Sequence, residues 1–342
     1  MNKVKGLETI PCIAIIVVAI MATSCTGLSR EHRIWEAENP QYTRARNFRW
    51  SLVDQTLQYE QPELPLNSII ITGYRGRRTD IQIPSQINGM PVKTIGDSAL
   101  FGLHRHRRLT SVIIPDSVTY IGRSAFWGNQ LTSIIIPNSV TTIGDSAFWR
   151  NQLTSVTIPD SVTTIGRSVF LGNQLTCIII PSSVTTIGDS AFWENQLTSV
   201  TIPNSVTYIG NGAFADNQIT NITIPDSVTY MGSFPFRGNP ITCVTLGIAH
   251  IEGWFFGGQL INVTLLDTVT SIGASAFQSN QIISVIIPDS VTYIGDGAFA
   301  NNRLTSVTIP SHTNIYESVE VIVSGHRWWE GSFDRDVTII RR

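Results

Sequence analysis

Charge is scarce in this 342-residue chain: Asp, Glu, Lys and Arg make up 14% of it, with a formal net charge of −2. Nucleic acid is excluded as the main partner, because neutralising phosphates takes clustered Lys and Arg. Only six His and four Cys occur. His104 and His106 lie close together in HRHRR, but no neighbouring Cys, Asp or Glu offers the third ligand of a tetrahedral metal site. The run reads as a solvated loop. There is no G-x-S-x-G elbow, no Ser/His/Asp spacing and no phosphate-binding G-x-x-x-x-G-K. These absences predict no catalytic residue, no cofactor, no metal and no enzyme. The polar fraction is mostly Thr, Ser, Asn and Gln, so the expected surface is neutral and rich in hydroxyls.

The first residues read as a targeting segment over 1–25. Lys3 and Lys5 form a positive start, Ile10 to Met21 an apolar run, and Ala22-Thr23-Ser24 small residues before Cys25. The run is too short for a membrane-spanning helix, which needs about 20 residues. Its end resembles the lipobox of bacterial lipoproteins, which implies a lipidated Cys25 as the mature N-terminus. Ordinary cleavage near Ala22 to Ser24 is the alternative. Both readings predict export, and the first predicts membrane attachment through that lipid anchor alone.

The rest of the chain is dominated by one phrase. LTSIIIPNSVTTIGDSAFWRNQ at 131–152 returns as LTSVTIPDSVTTIGRSVFLGNQ at 153–174 and LTCIIIPSSVTTIGDSAFWENQ at 175–196. Pro115, Pro137, Pro159, Pro181, Pro203 and Pro225 follow at steps of 22; Gly247 and Leu266 replace the next two prolines at a step of 19, and Pro288 and Pro310 restore the period. Pro84 belongs to a degenerate first copy carrying QINGMPVK as an insertion. The period predicts one stacked unit of about ten coils over 68–310, not two domains, because a single copy cannot bury its apolar set alone. Residues 26–67 and 311–342, with other compositions, are expected to cap its ends.

Within a copy, Leu153, Val156 and Ile158 fit the L-x-x-L-x-L strand pattern and point inward, while Thr157 points outward. Proline ends the strand because it cannot donate to the ladder. SVTTIG predicts a second short strand, and D/R-S-A-F a single helical or 3-10 turn aiming its Phe into the coil. Phe126, Phe148, Phe170, Phe192, Phe214, Phe236, Phe255, Phe277 and Phe299 form that column. Asn129, Asn151, Asn173, Asn195, Asn217, Asn239, Asn280 and Asn302 form another, expected to satisfy turn backbone groups inside the coil. Gly258 breaks the Asn column in the short coil and marks the expected weak point. Asp116, Asp160, Asp226 and Asp289 alternate with Asn or Ser in sister copies, as turn residues do. Cys177 and Cys243 lie 66 residues apart, three repeats. Stacking would separate them by about 14 Å, too far for a disulfide, so both thiols are expected to be unpaired.

The phrase IP-(D/N)-SVT-x-IG-x-x-AF-x-x-NQLTS resembles the BspA-like class of bacterial leucine-rich repeats, over about seventy percent of the chain. The resemblance implies a β-rich solenoid: a right-handed leucine-rich-repeat superhelix with parallel strands on its concave face. It also implies a cell-surface protein that adheres to host matrix proteins or to other bacteria.

Recognition is expected where copies vary. Trp127, Trp149, Leu171 and Trp193 share a column, read either as a half-buried stripe sealing the convex side or as an exposed aromatic patch. Arg123, Asp145, Arg167 and Asp189 alternate in sign, predicting a salt-bridge ladder that fixes register. Thr132, Thr154, Thr157, Thr198 and Thr201 make the concave strip flat and uncharged. Three functions fit: adhesion to extracellular protein, a structural or evasive coat without a ligand, and carbohydrate binding by stacked Trp.

Overall fold

The computed structural model describes residues 45–54, 64–102, 108–252, 258–315, 319–323, 326–334 and 337–342. The targeting segment with Cys25, and His104, His106 and Phe255, lie outside them. The chain winds into a β-solenoid of about 11 turns with parallel strands and almost no helix.

Two ladders run along it. The first is built from the strands that precede the proline, such as Ser133–Ile135 against Ser155–Thr157, and Asn221–Ile224, Cys243–Leu246 and Asn262–Leu265 in succession. The second is built from the T-I-G strands, as in the run Thr164–Ile165, Thr186–Ile187, Tyr208–Ile209, Tyr230–Met231. Its register is the sequence period itself: Thr164 faces Thr186 and Ile165 faces Ile187. At the short coil the first ladder continues, pairing Val244 with Val263. The second is divided there, with Tyr230–Met231 closing one sheet and His250–Ile251 opening another. The chain thus absorbs the missing three residues by giving up one ladder and keeping the other.

The core follows from alternation. Leu153, Val156, Ile158 and Phe170 are all buried, and so are their counterparts in neighbouring coils. The phenylalanines stack nearly parallel, with centroids 5.3 Å apart for Phe126 and Phe148 and 5.7 Å for Phe148 and Phe170. Each such pair adds about 0.5–1.5 kcal/mol beyond its buried area. The glycine of I-G allows the coils to approach this closely. A Cβ on Gly210 would lie 2.5 Å from the Asp189 nitrogen and 2.7 Å from the Gly188 carbonyl carbon.

The D/R-S-A-F segment is not the expected helical turn. Ser146, Ser168 and Ser190 have φ of 60°, 55° and 55°, in the left-handed region that ends a right-handed helix. Amides alternate in direction: Ser146 N–H and Phe148 N–H donate to Arg167 and Val169 of the next coil, while Trp149 N–H donates back to Ser146. A helical turn would direct every amide along its own axis and leave the coils unjoined. Neither the sequence period nor helix propensity reveals this demand.

The Asn column does inside the coil what was expected of it. Asn173 Oδ1 accepts from Leu153 N–H at 3.1 Å, and its Nδ2 donates to Phe148 and Phe170 carbonyls, each at 3.0 Å. Asn151 and Asn195 repeat the pattern one coil away. A second ladder was not anticipated. The serine of D/N-S-V donates to the valine carbonyl of the preceding coil, as Ser183 does to Val162 at 2.8 Å and Ser205 to Val184 at 2.7 Å.

Two end features refine the boundaries. Phe48–Val53 pairs antiparallel with Ser68–Tyr74, so an N-terminal strand covers the first coil. Within the expected C-terminal cap, Phe333 stacks on Phe299 at 5.2 Å, and Thr338–Arg341 extends the first ladder beyond Ser306–Ile309. Those residues form a further coil, interrupted by the antiparallel hairpin Val319–Val323 and His326–Glu330. The expectation of two unpaired thiols is corrected as well. Cys243 is free and half-buried, but Cys177 is disulfide-bonded. The spacing argument excluded only a bond between these two and left other partners for Cys177 open.

Candidate recognition surface

The second corner of the coil places the aromatic column. Trp127, Trp149 and Leu171 are half-buried, and Trp193 is 36% exposed. Trp127 and Trp149 stack with centroids 4.7 Å apart and planes within 3°. Phe101 packs on Trp127 from the preceding coil at 4.7 Å. The Arg150 guanidinium lies over the Trp149 ring, 5.2 Å from its centroid. Trp149 is thus flanked by a ring and a cation, and Trp127 by two rings, so both present edges to solvent. The two alternatives for this column therefore merge: it seals the corner and still exposes an aromatic ridge. Trp193 differs. Leu171 separates it from the stack, and its Nε1–H donates to Asp216 Oδ2 at 2.7 Å.

The charge column is present, but among the described residues no ion pair joins Arg123, Asp145, Arg167 and Asp189. The carboxylates instead accept backbone amides of the following coil. Asp145 Oδ1 takes Arg167 N–H at 2.9 Å, and Asp189 Oδ1 takes Asn211 N–H at 2.7 Å. Asn211 Oδ1 continues the series with Ser233 N–H at 2.8 Å. The short Asp side chain reaches the next backbone sooner than the next guanidinium, which can extend into water. An Asx cap, and not opposite charge, is what these positions share.

On the first ladder's outer face Thr132, Thr154, Thr157, Thr198 and Thr201 are exposed, as expected. The face is not hydroxyl throughout. Ile179 is 50% exposed, and towards the C-terminal end Ile283 and Ile286 reach 56% and 78%. These isoleucines occupy the same columns as the threonines and were legible in the repeat alignment. On the second ladder, Tyr208 and Tyr230 stack at 4.6 Å, a pair the sequence reading passed over. The Tyr208 phenol is held above its ordinary pKa, first by desolvation and then by the Asp189 carboxylate and Tyr230. Among the described residues, no group of three His, Cys, Asp or Glu is placed to hold a metal ion, and no helix is long and apolar enough to cross a membrane.

Stacked coils joined by side-chain ladders, with variation confined to outward columns, define a repeat scaffold. The model of the BspA-type leucine-rich repeat region matches residues 77–198 and 185–305, about two thirds of the chain, and the chain belongs to that family. Such repeat proteins are generally non-enzymatic binding scaffolds. A leucine-rich repeat protein from Bacteroides ovatus is 20% identical, covering 86% of this chain and 98% of its own, with a TM-score of 0.46. A leucine-rich cell surface protein from Faecalibacterium prausnitzii is 23% identical, covering 81% and 90%, with a TM-score of 0.39. The pneumococcal vaccine antigen PcpA is 17% identical, covering 80% and 82%, with a TM-score of 0.44. No curated protein matches the chain.

Proposed function

We propose that this chain is a non-enzymatic adhesion protein of the bacterial cell surface, binding extracellular protein through its outward columns. The supporting observation is the aromatic ridge of Trp127 and Trp149. It is fixed by stacking, exposes apolar edge, and ends at the exposed Trp193. Aromatic side chains held rigid by packing are the usual anchors of protein interfaces, since little rotamer freedom remains to be lost on binding. The same stacking counts against carbohydrate binding by Trp127 and Trp149, because a sugar ring needs an open indole face.

Solid-phase binding to extracellular matrix proteins and to whole bacteria tests the reading. Changing Trp127, Trp149 and Trp193 together to Ala should abolish binding while leaving the circular dichroism spectrum intact. Binding undiminished by the triple change would remove the ridge from the interface. Folded wild-type protein that retains no partner would favour the coat. A lipid on Cys25, as its lipobox-like setting implies, would leave that thiol unable to pair with Cys177; metabolic labelling with a radioactive fatty acid, compared between the wild type and Cys25→Ala, decides between lipid and disulfide.

A further inference from the structure

The repeat provides its own internal comparison for Trp193. In one coil the pair is Trp149-Arg150, and the guanidinium of Arg150 lies over the indole of its neighbour at 5.2 Å from the centroid. Two coils later the same two positions hold Trp193-Glu194, with the charge reversed. Arg150 and Glu194 share the same left-handed backbone, with φ of 53° and 55°, so the two side chains leave the coil in the same way. Among the described residues, neither ring nor cation stacks on Trp193. Its indole is nonetheless held in place. Nε1–H donates to Asp216 Oδ2 at 2.7 Å. Gly212 stands where most sister coils place Ser, and a Cβ there would make ordinary contact with Trp193 Cε3 at 3.8 Å, so this backbone packs against the indole. Gly238 makes room for the Asp216 carboxylate, whose Oδ1 would collide with a Cβ there at 2.0 Å.

We infer that the Trp193 corner binds a guanidinium group from outside the chain: an arginine side chain of the protein partner, taking over Trp193 the place that Arg150 takes over Trp149. An indole is the best aromatic platform for a cation. A planar guanidinium stacks on it while its N–H groups remain free for a carboxylate. Asp216 Oδ1 and the exposed Glu194 supply that acceptor charge. Lysine fits less well, because a compact ammonium cannot stack and pair in one plane. This inference rests on the adhesion reading and specifies its partner as one presenting arginine. Since one exposed contact is weak, the ridge and its neighbouring columns would have to add to it.

The test is a calorimetric titration of the whole chain with an acetylated, amidated tetra-arginine peptide at low salt. Citrulline tetrapeptide, an uncharged near-isostere, and tetra-lysine serve as comparisons. Tetra-arginine should bind most tightly, weaken with added salt, and lose roughly five-fold in affinity in Trp193→Ala and in Asp216→Asn, as expected for removal of one such contact. Asp226→Asn, which removes an exposed turn carboxylate away from this corner, should bind like wild type. Glu194→Arg should reproduce the Trp149-Arg150 pair, close the corner from within and abolish binding without disturbing the fold. The inference is overturned if Trp193→Ala binds like wild type, if citrulline binds as well as arginine, or if Asp226→Asn weakens binding as much as Asp216→Asn. Matrix binding that persists in Trp193→Ala and resists competition by tetra-arginine would overturn this inference alone. Loss of all matrix binding by the wild type would instead overturn the adhesion reading.

Discussion

Replacing Asn173 by Ala should be among the most damaging single changes in the array. The amide closes three short contacts inside the coil, from Leu153 N–H to Oδ1 and from Nδ2 to the carbonyls of Phe148 and Phe170, with a longer one from Nδ2 to the Leu171 carbonyl at 3.5 Å. The carbonyls are not left bare by its loss. Phe148 O keeps Asn151 Nδ2 at 3.0 Å, and Phe170 O keeps Asn195 Nδ2 at 2.9 Å. Leu153 N–H has no such second partner and becomes a buried, unpaired donor. An unsatisfied buried donor costs about 1–3 kcal/mol and each lost carbonyl bond about 0.5–1.5 kcal/mol, giving a loss of about 2–6 kcal/mol. In a solenoid the effect should concentrate in the adjoining coils. Denaturant unfolding should show the loss, and hydrogen exchange should show the Leu153 amide deprotected well before those of distant coils. Asn173→Asp should be no better, since a carboxylate would face two carbonyls and offer no donor. A loss below about 0.5 kcal/mol with Leu153 protection unchanged would refute the accounting. So would an Asp variant as stable as the wild type at neutral pH.

Other outcomes follow from neighbouring features. Gly210→Ala drives a Cβ into the Asp189 backbone and should cost roughly 1–3 kcal/mol by overpacking, read by thermal unfolding. Phe333→Ala uncovers the end of the phenylalanine column and should cost about 3–5 kcal/mol; hydrogen exchange should show the Phe299 and Asn301 amides opening first. Asp145→Asn should be nearly neutral and Asp145→Ala should cost about 0.5–1.5 kcal/mol, both insensitive to salt. If instead both variants lost stability equally, and only at low salt, the ion-pair ladder would be restored in place of the cap. In the oxidised protein iodoacetamide should modify Cys243 and spare Cys177, with both reacting after reduction and unfolding.

The sequence by itself determined the solenoid, because a 22-residue period with Leu153, Val156, Ile158 and Phe170 facing one way has no other means of burial than stacking on its own copies. It determined the Asn ladder for the same reason: an amide recurring beside a tight, apolar turn must pair inside it. It also delimited the outward columns, since a position free to change from copy to copy is one that packing does not constrain. What these columns do was decided only by the tertiary structure. Alternating Arg and Asp suggested ion pairs, yet Asp145 reaches the amide of Arg167 before any guanidinium. A helical turn suited D-S-A-F locally, but every second amide is needed by the next coil, and Ser146 goes left-handed to supply it. Three tryptophans in a column looked equivalent, and stacking made them different: Trp127 and Trp149 cover one another, while Leu171 leaves Trp193 apart. A repeat lists which residues are neighbours along the array. Which side chain reaches its neighbour first depends on distances near 5 Å between coils, and those belong to the folded chain alone.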